Sequence, residues 1–329
     1  MKRVLVTEPI HADGMALLQA RPDIEIIQAE NAHADTLARL LPGVHGIAVR
    51  TATLTADLLA HANDLEVVSR HGVGCDNVDV AHLTARDIPV AIAAGANSTS
   101  VAELTMAMIL TLTRQLTALD AAVRNGNWQD RANLLATDLE DATMLIVGFG
   151  RIGRKVARRA RAFGMQVVVA DIALDEELAA ELGCRGVEDF RAELGKADVV
   201  TMHIPLDDTT RHIFSGPELA TMKPGALLIN CARGGIVAED ALLSSLESGH
   251  IGGAGLDVFS QEPPPMDASA LAALVSRDDV VLAPHAGAAS HGAMRAMATM
   301  ATQNILDCFD GTLKPDCTFN HEDLMTNAP

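Results

Sequence analysis

Residues 143–153 read TMLIVGFGRIG. An apolar run climbs into three glycines, Gly148, Gly150 and Gly153, spaced G-x-G-x-x-G. A helical stretch, RKVARRARAFG, follows, and the next apolar run, QVVVAD, ends in Asp171. Strand, glycine turn, helix, strand and acid together predict a βαβ unit that binds a dinucleotide. Gly148 permits the tight turn, Gly150 lets backbone approach a pyrophosphate, and Gly153 lets the helix pack closely on the strand. The helix N-terminus supplies N–H donors and the positive end of its dipole. Asp171 lies about 20 residues past the glycines, where a carboxylate hydrogen-bonds the adenosine ribose. It would repel a 2′-phosphate, and Ile172 and Ala173 add no compensating charge, so NAD is predicted over NADP.

Such a unit commonly opens a chain; here residues 1–142 precede it. They alternate on their own. RVLVTEP, IEIIQA, GIAVRT, LEVVSRHG and IPVAIAAG read as strands, with HADGMALLQA, HADTLARLL and TADLLAHA as helices between them. That alternation predicts a parallel sheet covered on both faces, complete before the glycine run begins. The stretch from Asn97 to Trp128 then reads as one long helix, with Ser100 and Glu103 in a capping-box pattern and Gly126 ending it. A second series follows: TMLIVG, QVVVAD, DVVTMHI, ALLINCA, GAGLDVF and VVLAPHA as strands, helices between most of them. It stops near residue 287. HGAMRAMATMATQNILDCFDG is a last long helix, and a short polar tail follows.

Composition narrows the class of function. With 329 residues the chain suits two domains. A formal net charge of −18 argues against nucleic acid or an anionic membrane as partner. An anionic small molecule needs only local positive charge and stays open. The five cysteines, Cys75, Cys184, Cys231, Cys308 and Cys317, form no C-x-x-C pair, which predicts a reduced, cytoplasmic setting. No secretory leader and no apolar run of membrane-spanning length is expected. The histidines lack a ligand spacing such as H-E-x-x-H, so no metal is expected.

Ligands of open α/β sheets sit outside the carboxyl ends of the strands. ALLINCARGG delivers Arg233 just past one strand, GLDVFSQEPP delivers Asp257 and then Glu262, and VVLAPHAG delivers His285. An imidazole titrates in the range needed to take a hydroxyl proton as hydride leaves carbon. A carboxylate beside it favours the imidazolium, and a guanidinium binds a substrate carboxylate or polarises the carbonyl through paired N–H donors. Taken singly each is an ordinary loop or surface residue. Their convergence after a dinucleotide motif is the signal.

At this point the chain resembles the D-isomer-specific 2-hydroxyacid dehydrogenases, over about residues 2–318. LLINCARGGIVAEDALLSSLESG, GAGLDVFSQEPP, HIPLDDTT and APHAGAAS are similar to that family's signatures, and SRHGVGCDNVDV and GANSTSVAELTMAMIL to its N-terminal motifs. The resemblance implies two doubly wound parallel-sheet α/β domains, a Rossmann cofactor domain inserted into a flavodoxin-like substrate domain. Residues 1–97 and 288–329 would form the substrate domain and 98–287 the NAD domain, with the active site in the cleft between them. It places the catalytic set on Arg233, Glu262 and His285. For NAD it implies Arg151 and Ile152 at the pyrophosphate, Asp171 at the ribose, and His203, Ile204 and Pro205 under the adenosine half. Cys231, Ala232 and Arg233 would lie on the nicotinamide side, with Asp257 near the carboxamide and His285 and Gly287 close by. For the substrate it implies the N–H groups of Val73 and Gly74, with Asn97 in the crossover, and a homodimer built on the cofactor domain.

Within the family the motifs most resemble phosphoglycerate dehydrogenases. Arg50, in AVRTATLTADLL, matches a position where that subgroup places an Arg near the substrate phosphate. Arg50, Arg70 and His71 are therefore candidates for a basic pocket taking a second anionic group; the competing role for the two arginines is to stabilise the cleft or the dimer. Two departures stand against that subgroup. No serine-sensing regulatory domain is expected after the last helix, and NWQDRANLLATDLEDATM lacks the Lys-rich pattern usual before the glycine run. Glyoxylate, hydroxypyruvate, D-lactate and short acids with an anionic tail, a sulfonated one included, remain open as substrates. So does a corepressor-like, NAD-sensing scaffold that binds peptides.

Overall fold

The computed structural model describes residues 1–267 and 269–327. Among them the chain divides into two compact units, one of Met1–Asn97 with Ala288 onward, the other of Ser98–Gly287.

The first unit carries β1 (Lys2–Val6), β2 (Ile24–Gln28), β3 (Gly46–Val49), β4 (Val67–Arg70) and β5 (Val90–Ile92). All pair in parallel, in the order β2-β1-β3-β4-β5. That is the flavodoxin-like order, whose connections reverse direction between β1 and β3. The central strands are near-continuous Val, Ile, Leu and Ala, buried on both faces. One face is covered by the helix His291–Phe309, which buries Ala293, Met297, Ala301 and Ile305 at helical spacing. It lies against the helix Ala12–Gln19 at Gly14, where a Cβ would come 2.7 Å from the Ala298 carbonyl oxygen. Only glycine allows two helix backbones this close.

The second unit carries β6 (Thr143–Val147), β7 (Gln166–Ala170), β8 (Arg185–Val187), β9 (Val199–Met202), β10 (Leu227–Asn230), β11 (Gly253–Leu256) and β12 (Val280–Leu282). The order is β12-β11-β10-β9-β6-β7-β8, again all parallel. The connections reverse at β6 and β9, the switch point where such sheets bind ligands. The expected fold class, two parallel-sheet α/β domains, is what the chain forms.

Four local expectations are corrected. The long helix breaks: Ser98–Thr113 and Leu116–Arg124 are separated at Gln115, which is left-handed at φ 49°. The Thr113 carbonyl accepts from the Thr137 N–H at 2.8 Å, and Gln115 Nε2 donates to the Leu135 carbonyl at 2.6 Å, so a returning segment caps the first helix. The capping box is absent: Ser100 lies inside the helix, and Glu103 pairs with Arg159 at 2.9 Å. β8 was not expected: Arg185–Val187 reads RGV and is largely exposed, whereas the other three-residue strands, β5 and β12, are apolar throughout. The tail is more than polar chain. Asn320 is buried, accepts from the Val90 N–H at 2.8 Å and donates to the Ile88 carbonyl at 3.1 Å and Thr84 Oγ1 at 2.9 Å. Thr318 bridges antiparallel to Ala91, so the tail covers the outer edge of β5. No helix of the described residues is long and apolar enough to cross a membrane.

Candidate functional site

The glycine run turns at the carboxyl end of β6. Gly148 has φ 98°, and a Cβ there would lie 2.5 Å from the His203 carbonyl oxygen. Gly153 packs its α-carbon against the Gly148 carbonyl, leaving no room for a side chain. Gly150 differs: a Cβ there would meet nothing within 4 Å. The fold itself gives no packing reason for glycine at 150. The helix Arg151–Ala162 starts immediately after, and its first N–H groups have no acceptor within the helix and no side-chain cap from Gly150. Asp171, at the end of β7, accepts from the Phe149 N–H at 2.6 Å and the Ala173 N–H at 3.0 Å, which ties the acid to the turn. Open space before Gly150, free helical N–H donors and an adjacent carboxylate fit a dinucleotide.

His203 leaves β9 beside this turn. Its Nδ1 is buried without a partner while part of the residue reaches solvent, and Nε2 lies 3.2 Å from Thr201 Oγ1. Burial pushes its pKa down to about 3, so it is neutral. Ile204 packs at Gly148, and the Pro205 carbonyl accepts from Thr210 Oγ1 at 2.8 Å. Cys231 and Ala232, after β10, are buried. Burial pushes the Cys231 thiol up to about 12, which leaves it without nucleophilic character.

The groups at the ends of β10, β11 and β12 come together. His285 Nδ1 lies 2.7 Å from Glu262 Oε2, and Glu262 Oε1 accepts from the Phe259 N–H at 3.0 Å. An ionised carboxylate only accepts, so Nδ1 carries the proton and Nε2 is left for chemistry. The Glu262 bond and charge raise the His285 pKa against the opposing effects of burial and of Arg233. Burial alone would raise Glu262; the His285 and Phe259 bonds outweigh it and hold the carboxyl below its usual range. Arg233 acts electrostatically on both partners, and its Nη1 donates to the Ala232 carbonyl at 2.7 Å.

His285 itself is left-handed, at φ 52°. A non-glycine residue holds that conformation only when its surroundings impose it. Asp257, 1% exposed at the end of β11, does so. Its carbonyl accepts from the His285 N–H at 2.8 Å, and its two carboxylate oxygens accept from the N–H groups of Ala286 at 2.6 Å and Gly287 at 2.8 Å. Burial raises the Asp257 pKa, and those N–H groups oppose the rise.

The remaining candidates lie in the first unit. Arg50 follows β3, Arg70 ends β4 and His71 comes next, close enough that both arginines act on the histidine. His71 is 3% exposed with no partner at Nε2, and burial followed by the two positive neighbours lowers its pKa. It therefore adds a neutral ring to the expected basic pocket, and no charge. Val73, Gly74 and Asn97 are half-buried. Glu8 was not singled out in the sequence. It accepts from the N–H groups of Arg50 at 3.0 Å, Thr51 at 2.6 Å and Ala52 at 3.1 Å, fixing the turn that carries Arg50. An acid just past the first strand is the signal that marks it. Among the described residues no group of three or more His, Cys, Asp or Glu side chains has the arrangement of a metal site.

Residues 106–287 match the family described as D-isomer specific 2-hydroxyacid dehydrogenase, NAD binding domain. A D-3-phosphoglycerate dehydrogenase of Bacillus subtilis is 39% identical over 312 residues, 94% of this chain and 58% of its own length. An (S)-sulfolactate dehydrogenase of Chromohalobacter salexigens is 41% identical over 275 residues, 82% of this chain and 87% of its own. The crystal structure of a D-lactate dehydrogenase of Aquifex aeolicus, complexed with NAD and lactic acid, superposes with a TM-score of 0.84 at 27% identity, covering 100% of both chains. The chain thus spans 58% of the length of the phosphoglycerate dehydrogenases it matches.

Proposed function

The chain belongs to the D-isomer specific 2-hydroxyacid dehydrogenases, and from that premise we propose that it interconverts a D-2-hydroxy acid and its 2-oxo acid with NAD. The observation that carries the proposal is the 2.7 Å Glu262–His285 pair, set with Arg233 at the carboxyl edge of the sheet whose switch point holds the glycine run. NAD would be held by Gly148, Gly150, Arg151, Ile152, Gly153 and Asp171, and bound there it supplies the hydride acceptor. His285 Nε2 takes the hydroxyl proton on oxidation and returns it on reduction. Glu262 stabilises the imidazolium formed on the way. Arg233 binds the substrate carboxylate through two parallel N–H bonds. Asp257 holds the His285 turn in place.

We assign Arg50 and Arg70 to a second anionic group on the substrate, a phosphate or sulfonate. Their charge, the Glu8-held turn under Arg50 and the similarity to phosphoglycerate and sulfolactate dehydrogenases support that class. Self-association through the second unit is proposed as well: Leu116, Val123, Trp128 and Leu135 are each more than half exposed within one segment. A cytoplasmic setting is part of this proposal, since the cysteines form no disulfide among the described residues.

The test is NADH formation and consumption over 3-phosphoglycerate, sulfolactate, D-glycerate, D-lactate and D-malate, with the matching 2-oxo acids in reverse, for the wild type, Arg50→Gln and His285→Ala. His285→Ala is expected to lose nearly all turnover and keep NADH binding. Arg50→Gln is expected to raise KM for the phosphorylated or sulfonated substrate alone. Wild-type turnover in His285→Ala overturns the mechanism; preference for an uncharged-tail acid overturns the substrate class.

A further inference from the structure

Between Arg233 and Glu262 lies a junction that the mechanism above does not use. After Arg233 the chain turns at Gly234 and Gly235 and enters the helix Glu239–Glu247. Gly234 abuts the backbone of Phe259 and Ser260; a Cβ there would overlap the Phe259 carbonyl and sit 2.6 Å from the Ser260 nitrogen. Glu239, the first residue of the helix, reaches the same segment. Its Oε1 accepts from the Ser260 N–H at 2.7 Å and its Oε2 from Ser260 Oγ at 2.5 Å. The two successive N–H groups of Phe259 and Ser260 are thus each taken by a carboxylate, the first by Glu262 and the second by Glu239.

We propose that Glu239 is a positioning residue for the acid–base pair: through Ser260 it fixes the loop that presents Glu262 to His285, in register with the turn that presents Arg233. This rests on the assignment of Glu262 and His285 proposed above. A carboxylate on a loop keeps a 2.7 Å bond to an imidazole only if the loop backbone is held. Gly234 supplies contact from one side, without direction. Glu239 supplies direction, because two bonds to one residue fix both the position and the rotation of the peptide. With the link gone, Glu262 keeps its bond to Phe259 but loses its fixed placement against His285. The imidazole then faces Arg233 with less of the carboxylate that offsets it. The charged groups that bear on His285 are Glu262, Arg233 and Asp257, and Glu239 acts through the first.

The experiment compares Glu239→Ala, Glu239→Gln, Ser260→Ala, Asp240→Asn and His285→Ala. It reads kcat and KM against pH in both directions, NADH affinity by fluorescence, and urea stability. Gln keeps both links, since its amide oxygen accepts from the Ser260 N–H and its NH₂ donates to Ser260 Oγ. Asp240→Asn removes a neighbouring first-turn charge and touches no link, so it controls for the helix dipole. Glu239→Ala is expected to lower kcat about tenfold, a part of the about 10²–10⁴ that a positioned acid–base group contributes. Its pH profile is expected to move to lower pH, with NADH affinity unchanged. Glu239→Gln is expected to restore rate and profile, Ser260→Ala to lie between, and Asp240→Asn to match the wild type. A wild-type rate and profile in Glu239→Ala overturn the proposal, as does a Gln variant as impaired as Ala. If Glu239→Ala does not fold, the contrast between Gln and Ser260→Ala decides: equal profiles overturn it. An active His285→Ala removes the underlying reading and this inference with it.

Discussion

Gly148 and Gly150 belong to one motif, yet the structure separates their roles. Gly148→Ala puts a side chain at φ 98°, with its Cβ 2.5 Å from the His203 carbonyl oxygen and 2.7 Å from its carbon. Left-handed backbone costs an alanine about 1–2 kcal/mol, and forcing a methyl into packed backbone adds about 1–3 kcal/mol. The sum, about 2–5 kcal/mol, is a large share of the about 5–15 kcal/mol that holds a protein folded. At Gly150 the backbone is extended, at φ −77°, and nothing lies within 4 Å of the added methyl. Gly150→Ala is therefore expected to leave stability unchanged, or raise it by about 0.4–1 kcal/mol through the unfolded chain. Its methyl fills the space assigned to the pyrophosphate, so NADH affinity is expected to fall at least tenfold, about 1.4 kcal/mol. Urea unfolding of the second unit and NADH fluorescence titration separate the two effects. If Gly150→Ala binds NADH like the wild type, the glycine run does not receive the pyrophosphate there. If Gly148→Ala unfolds at the wild-type urea concentration, the conformational argument fails.

Glu262→Gln removes the charge that raises His285 and leaves one acceptor oxygen for two donors, His285 Nδ1 and the Phe259 N–H, so the histidine pKa is expected to fall towards its ordinary 6.5. Reduction needs the imidazolium and oxidation the neutral ring, so both pH limbs move to lower pH; an unmoved profile refutes the coupling. The pair's own contribution to stability is expected to vanish as pH rises through the raised His285 pKa, and as it falls through the depressed Glu262 pKa. Wild type and Glu262→Gln compared by urea unfolding across pH report this, and a pH-independent difference counts against it. Asp171→Asn keeps an acceptor for the Phe149 N–H and removes the charge facing a 2′-phosphate. The ratio of kcat/KM for NADP over NAD is expected to rise about tenfold or more, given about 4 kcal/mol between charges 4 Å apart near a protein surface; an unchanged ratio removes Asp171 from cofactor choice. Asn320→Ala strands the buried Val90 N–H and Ile88 carbonyl and is expected to cost about 2–4 kcal/mol. An unshifted first-unit urea transition refutes that role for the tail.

Both sheets were legible in the sequence because their strands are apolar runs punctuated by glycine, and the alternation with helices left little choice but parallel pairing. The glycine run and its acid were legible because motif, strand and helix agree. Glu262 and His285 were found by asking what each strand end carries, and the fold brings them to 2.7 Å. Apart from β8, what escaped has a common cause: the deciding partner is remote in sequence. The break at Gln115 depends on Leu135 and Thr137 returning to the helix end. The order of the tail depends on Val90 and Ile88 lacking partners until Asn320 arrives. Glu8 and Glu239 look like ordinary charges at element ends; each matters for the backbone it holds, and hydrogen bonds to backbone leave no mark on the partner's identity. The neutrality of His71 follows from burial, which its own stretch does not reveal.

The returning helix has a consequence for how the protein is made. Ile305 and Leu306 share an apolar cluster with Val4, Val6, Ala48, Val67 and Ala91, one whole face of the first sheet. On the ribosome those strands emerge first, yet that face has only the helix Ala12–Gln19 against it until the residues after Gly287 have left the exit tunnel. The second unit has all its strands by then and is expected to close before the first. That would invert the usual order, in which the N-terminal portion settles while the rest is still being synthesised. For most of its synthesis the nascent chain would carry a partly uncovered β-surface, and a chaperone that shields such surfaces would bind it within residues 1–97.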